Sequence, residues 1–128
     1  MDGAQGTICV VTGASSGIGG GGARALAGRG GLPIMLSRDR ARGKEAYREI
    51  RRVNPSAAWI PTDLSSMDSV RETARRILLT YGRCHRLFNC AGVLSMKRRI
   101  AAGGMELMFT VNYLAHFLLT NLLFPALR

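Results

Sequence analysis

The 128-residue sequence predicts one α/β domain, spanning residues 1–128 and built on a doubly wound parallel sheet. Three observations carry that expectation. Short apolar runs alternate with longer amphipathic ones, a glycine- and serine-rich turn separates the first pair, and no repeat or low-complexity tract breaks the order. With 47% hydrophobic and 20% charged residues, the chain can fill one core and leaves little room for a second.

Thr7-Ile8-Cys9-Val10-Val11-Thr12 is short, β-branched and nearly uninterrupted, as a strand buried on both faces should be. Gly13-Ala14-Ser15-Ser16-Gly17-Ile18-Gly19 makes the turn that follows. Ala23, Leu26 and Ala27 then form the apolar stripe of a helix that should stop at Gly30-Gly31. The run Gly20-Gly21-Gly22 should weaken its first turns, because an interior helical glycine costs about 1 kcal/mol relative to alanine. Leu32 to Ser37 reads as the second strand, Ala41 to Val53 as an arginine-rich helix, and Ala57 to Pro61 as the third strand after the Asn54-Pro55 break. Asp63 or Ser66 can cap a helix reaching about Tyr81. Leu87-Phe88-Asn89-Cys90 supplies a fourth strand, followed by a basic loop and a long apolar helix. Right-handed crossovers between such strands give a Rossmann-type sheet of about four strands in the order 3-2-1-4, which opens a crevice between strands one and four.

Eighteen Lys and Arg against eight Asp and Glu give a net charge of +10, which favours anionic partners. Nucleic acid is disfavoured, since Arg24, Arg38, Arg51, Arg75, Arg99 and Arg128 are dispersed and no aromatic-interleaved basic stretch or Cys/His finger accompanies them. Three cysteines without a C-x-x-C pair argue against a disulfide framework and a zinc site, so reduced thiols and no metal are expected. Met1 to Gly6 lacks a basic and an apolar leader segment, and a cytoplasmic location is expected. Leu107 to Leu127 carries no charge and has the length of a membrane span. Thr110, Asn112, His116, Thr120, Asn121 and Pro125 interrupt it, which favours a buried or subunit-facing helix. Peripheral membrane attachment through this helix and the positive charge is the weaker alternative.

A strand-to-helix turn gathers backbone N–H groups at the positive end of a helix dipole, where a pyrophosphate can sit if no side chain blocks it. Gly13, Gly17 and Gly19, spaced G-x3-G-x-G after a buried strand and before an apolar helix, meet that requirement. Thr12 to Gly19 resembles the cofactor loop of the short-chain dehydrogenases/reductases. Asp63-Leu64 after strand three, Asn89-Cys90-Ala91-Gly92 after strand four and Val111 to Phe117 in the last helix fall where that family has its signatures. Ser37 to Gly43 and the segment from Asn112 to Leu123 look most like its retinol dehydrogenase-like branch.

The resemblance implies an oxidoreductase of alcohols or carbonyls, lipophilic ones if the branch is right, with a dinucleotide held by Gly13, Ser15, Ser16, Gly17, Ile18 and Gly19. It assigns Asp63 to the adenine amino group, the Leu64 backbone to the ring, and Asn89, Cys90, Ala91 and Gly92 to the flank of the adenosine and the support of the sheet. Asp63 could instead be only a helix cap. Strand two ends in Ser37-Arg38, where a guanidinium can grip a 2'-phosphate, so NADP(H) is favoured over NAD(H). Asn112 is either a buried amide satisfied by backbone or, by resemblance, the residue that helps hold a water chain to a catalytic lysine. His116 receives no catalytic role, because a lone histidine on an apolar helix is usually packed or hydrogen-bonded.

The family's proton donor is a Tyr-x-x-x-Lys pair with a Ser. In this sequence Tyr47, Tyr81 and Tyr113 are followed four residues on by Arg51, His85 and Phe117. The expectation is therefore the amino-terminal half of such an enzyme, without turnover of its own. The rival expectation is a truncated, inactive product acting as a nucleotide-binding or pairing module through its last helix. In either case strand four and the last helix should keep uncovered edges that promote homo- or hetero-association.

Overall fold

The computed structural model describes residues 3–128; Met1 and Asp2, which begin the segment read as leaderless, lie outside the described residues. Strands β1 (Ile8–Thr12), β2 (Leu32–Ser37), β3 (Ala58–Pro61) and β4 (Arg86–Phe88) form one parallel sheet in the order β3-β2-β1-β4. Helices α1 (Gly17–Gly28), α2 (Arg40–Val53), α3 (Met67–Tyr81) and α4 (Leu107–Ala126) connect and cover them. Order, count and class are those expected from the sequence.

Alternation along the strands divides the core between two faces. Val10, Ile34, Leu36 and Ile60 meet α3 through Val70, Ala74 and Ile77, and α4 through Val111, Ala115, Leu119 and Leu123. Val11 and Met35 face the other way, onto Ala23 and Ala27 of α1 and Ile50 of α2. Each fully buried aliphatic side chain contributes roughly 1.5–3 kcal/mol, so the sheet is held by its helices more than by its ladder. Pro33 sits inside β2 without cost to the sheet. It pairs with Cys9 of β1, whereas β3 pairs with β2 only from Ile34 onward, so no neighbour needs the missing N–H.

Four local features refine the sequence expectation. The glycine run does not interrupt α1, which continues through Gly20, Gly21 and Gly22 because Ala23 and Ala27 anchor it to the sheet. β4 ends at Phe88, leaving Asn89 and Cys90 outside it: the N–H groups of Cys90 and Ala91 donate to the Thr12 hydroxyl (3.0 Å each). Ser66, not Asp63, caps α3, its hydroxyl accepting from Ser69 N (3.2 Å). The outer side of the β4 segment is also not wholly bare, because Leu127 forms a parallel bridge with Cys84 just before the strand.

α4 contains a π turn at Thr110–Leu114 within otherwise α- and 3-10-helical backbone. Its Val111, Ala115, Leu119 and Leu123 side is buried, as expected of a core-facing helix. The opposite side exposes Phe109, Tyr113, Phe117 and Phe124, the first three in an aromatic row with centroids 5.4 and 6.1 Å apart.

Candidate functional site

The carboxyl ends of all four strands open onto a cleft of about 420 Å³. Its floor is the β1–α1 turn. Gly13 (φ +64°) lies so close to the β4–α4 loop that a Cβ there would come within 2.8 Å of Ala91 Cα. Gly19, at the start of α1, is pressed against the carbonyl oxygens of Thr12 and Gly13, so that any side chain would push the helix off the turn. Gly17 adopts φ +58° and carries α1 away from the loop. The hydroxyl of Ser16, at the N-cap, makes no capping bond, and no acidic residue occupies the first turn. Donor N–H groups and the positive dipole end are thus left for an external anion.

The walls come from the other strand ends. Ser37 closes β2 with its hydroxyl accepting from Trp59 Nε1 (2.9 Å), and α2 passes close over this pair because residue 43 is glycine. Arg38 follows, exposed, and forms no ion pair among the described residues. The neighbouring Asp39 carboxylate is turned onto α2, where Oδ1 accepts from Arg42 N (3.0 Å) and Oδ2 lies 3.8 Å from Arg42 Nε. After β3, Asp63 Oδ1 accepts from Ser65 N (2.9 Å) and Ser65 Oγ (2.6 Å), an arrangement that fixes the carboxylate and leaves Oδ2 without a protein donor among the described residues. Leu64 is buried beside it and lines the cleft.

One hydroxyl ties this site together. Thr12 Oγ1 accepts from the N–H groups of Cys90 and Ala91 and lies 2.9 Å from His116 Nε2 and 3.4 Å from the Phe88 carbonyl. With two donors already pointing at the oxygen, its single proton goes to the nearer acceptor, His116 Nε2. The imidazole is then neutral with its proton on Nδ1, available to the Asn112 carbonyl one helical turn earlier. The Asn112 side chain reaches in another direction, Oδ1 accepting from Val93 N (2.8 Å) and Nδ2 donating to Val93 O (2.9 Å). Asn112 is therefore exposed and not buried, yet its amide is satisfied by backbone.

Of the residues singled out from the sequence, Gly13, Ser15, Ser16, Gly17, Ile18, Arg38, Asp63, Leu64, Ala91 and Gly92 line the cleft. Three do not. Gly19 is buried beneath the turn, Asn89 donates to Thr120 Oγ1 of α4 (3.2 Å), and Asn112 braces Val93. Leu36, Thr62, Ser65, Val93, Leu107 and Val111 line the cleft without a sequence assignment, Cys90 joins them from the Asn89–Gly92 signature, and the sequence gives His116 no part in the site and Thr12 only a place at the head of the cofactor loop. A hydroxyl directly before the glycine turn and a histidine on an otherwise apolar helix stripe were the available signals.

Burial lowers the His116 pKa below the usual value of about 6.5, against a smaller opposing effect of the Asn112 carbonyl. As pH falls through about 6.5 the unfolded chain takes up the proton before the folded one does. Stability is therefore full above that pH and declines below it, until the folded imidazole itself titrates. Thermal unfolding across this range should show that decline, and His116→Gln should flatten the part of the curve that belongs to this residue. A variant whose pH dependence matched the parent would sink the assignment.

Among the described residues no group of three His, Cys, Asp or Glu could hold a metal. A family model described as short chain dehydrogenase matches residues 7–128. Retinol dehydrogenase 13 of Mus musculus is 41% identical over 125 residues, covering 96% of this chain and 37% of that protein. Polyprenol dehydrogenase of Mus musculus is 42% identical, with the same 96% and 37% coverage. The chain thus spans little more than a third of these relatives. A crystal structure of a metagenomic short-chain oxidoreductase in complex with NADP superposes with a TM-score of 0.84 at 33% identity, over 95% of this chain and 57% of the other.

Proposed function

The chain belongs to the short chain dehydrogenase family, and on that premise we propose that it holds NADP(H) for an oxidoreductase interconverting a lipophilic alcohol and its carbonyl. The observation that carries the reading is the uncapped start of α1, open to the cleft behind glycines that leave no space for side chains. A pyrophosphate fits there, bound by main-chain N–H groups of the turn and first helical residues. The Arg38 guanidinium, without an ion pair among the described residues and with Asp39 withdrawn onto α2, suits a 2'-phosphate and favours NADP(H) over NAD(H). Asp63 Oδ2 would accept from the adenine amino group, with Leu64 against the ring and Ala91 and Gly92 along the adenosine. Bound NADP(H) would supply or take up the hydride. The names of the two mouse relatives, which refer to retinol and polyprenol, support a lipophilic substrate. Three free thiols suit a reducing compartment, the cytoplasm.

The residues here do not include a proton donor of the right kind. A carbonyl accepting hydride needs an acid near neutrality beside its oxygen, and no tyrosine in these 128 residues has a lysine four positions on. We assign that role to a segment outside this sequence. Asn112 would act at a distance, by holding Val93 at the cleft and by the placement of its π-turn carbonyl. A second reading, an inactive nucleotide-binding or pairing module, draws on the exposed aromatic row of α4. An in-frame Ser and Tyr-x-x-x-Lys in the transcript beyond Arg128 favours the first, and a stop codon there the second.

Fluorescence titration with NADPH should give saturable binding to the purified chain, while NADPH oxidation with retinal and long-chain aldehydes should stay at background. Absence of saturable binding to folded protein would overturn the cofactor reading. Turnover by these residues alone would overturn the placement of the proton donor.

A further inference from the structure

The loop between β4 and α4 is more apolar at its surface than its role as a connector explains. Leu94 is 87% exposed and Met96 94%, and Ile100 is exposed as well. Lys97, Arg98 and Arg99 are interleaved with them, all exposed and none ion-paired among the described residues. Glu106 is the one acidic residue in the sequence after Glu72, and its carboxylate is engaged by the N–H groups of Met108 and Phe109 at the start of α4.

This tip is braced. Ser95 Oγ donates to the Lys97 carbonyl (2.6 Å), Leu107 N donates to the Arg99 carbonyl (2.8 Å), and Ala101 N donates to Met105 O (2.7 Å). Ile100 and Glu106 add an antiparallel bridge. Ser95 is partly buried, and the apolar residues on either side of it project to solvent.

We propose that this tip is a docking surface for an anionic phospholipid bilayer, with Leu94 and Met96 entering the acyl boundary and Lys97, Arg98 and Arg99 at the headgroups. Aliphatic and thioether side chains with flanking cations are the chemistry of an interfacial anchor, and anionic headgroups supply the complementary charge. A folded protein partner is the poorer fit, because the tip from Leu94 to Ile100 carries none of the aromatic anchors that dominate protein interfaces. The site differs from the apolar face of α4, which lacks charged residues. Docking here does not depend on the cofactor reading. If that reading also holds, Cys90 to Val93 place the cleft mouth beside the bilayer, where a lipophilic alcohol dissolves.

The test is flotation of the chain with phosphatidylcholine vesicles, with and without phosphatidylserine, at low and high salt. The expected result is recovery with the anionic vesicles that falls at least roughly tenfold in the Leu94→Ser, Met96→Ser double variant, and likewise in Lys97→Gln, Arg98→Gln, Arg99→Gln. Tyr113→Ser with Phe117→Ser on α4 should leave it unchanged. In Leu94→Trp, tryptophan emission should shift to the blue on adding anionic vesicles. Failure of the folded parent chain to float with them overturns the proposal. Flotation lost only in the α4 variants, or an unshifted Leu94→Trp spectrum, overturns it as well.

Discussion

Gly19→Ala should destabilise the chain by about 2–3 kcal/mol and abolish NADPH binding, although only one methyl group is added. The new Cβ would collide with the carbonyl oxygens of Gly13 and Thr12, which are backbone atoms and cannot rotate aside. Overpacking of a filled interior typically costs about 1–3 kcal/mol, and contact with main chain puts this case at the upper end. The helix relieves the clash only by lifting off the turn, which displaces the N–H groups expected to meet the pyrophosphate. Gly22→Ala is the contrasting control. Nothing lies within 4 Å of its Cβ position, and an alanine in the helix interior should raise stability by roughly 0.5–1 kcal/mol. Denaturant unfolding and NADPH titration on both variants check the pair. Equal effects would mean that the turn is not packed as described, and retained binding in a stable Gly19→Ala variant would remove the phosphate cradle.

That contrast also marks what the sequence could and could not convey. Strand and helix order followed from periodicity because both faces of the sheet are covered, so β1 and β2 read as apolar runs and α3 as a one-sided stripe. The glycine turn was legible for the same reason, since it falls directly between such a run and such a stripe. The three glycines are nevertheless indistinguishable in the sequence. One is squeezed by Ala91, one by the turn's own carbonyls, and one is free but left-handed. Only three-dimensional neighbours separate those cases. The end of β4 is not legible in the sequence, because Asn89-Cys90 has strand-like neighbours while the competing acceptor, Thr12 Oγ1, is 78 residues away in sequence from Cys90. A lone histidine on an apolar helix points to no catalytic role, yet His116 belongs to the same network, which joins β1, β4 and α4 through a single hydroxyl. Asp63 was ambiguous between cap and ligand. Ser66 takes the cap, and Asp63 instead fixes its own loop with one oxygen to spare.

Arg38→Ala should weaken NADPH binding at least about tenfold and NADH binding hardly at all. A hydrogen bond to a charged group contributes roughly 1.5–3 kcal/mol, which corresponds to about 10- to 150-fold in affinity. Arg38 is exposed, so screening by water and salt holds the expectation to the lower part of that range. The discrimination depends equally on its neighbour. In families of this fold an acidic side chain after β2 would accept from a ribose 2'-hydroxyl and repel a phosphate. Asp39 is withheld from that role by its bond to Arg42 N, which caps α2. Asp39→Ala should therefore lower stability by about 0.5–2 kcal/mol through loss of the cap while preserving the preference for NADPH. Raising the ionic strength should erode NADPH affinity in the parent chain more than in Arg38→Ala, because the screened contact is the one already removed. The two titrations, run with both nucleotides at low and high salt, decide the matter. Equal losses for NADPH and NADH in Arg38→Ala would mean that the guanidinium shapes the cleft without touching the 2'-phosphate. A loss of NADPH preference in Asp39→Ala would mean that specificity resides in the geometry of the β2–α2 turn and not in the arginine.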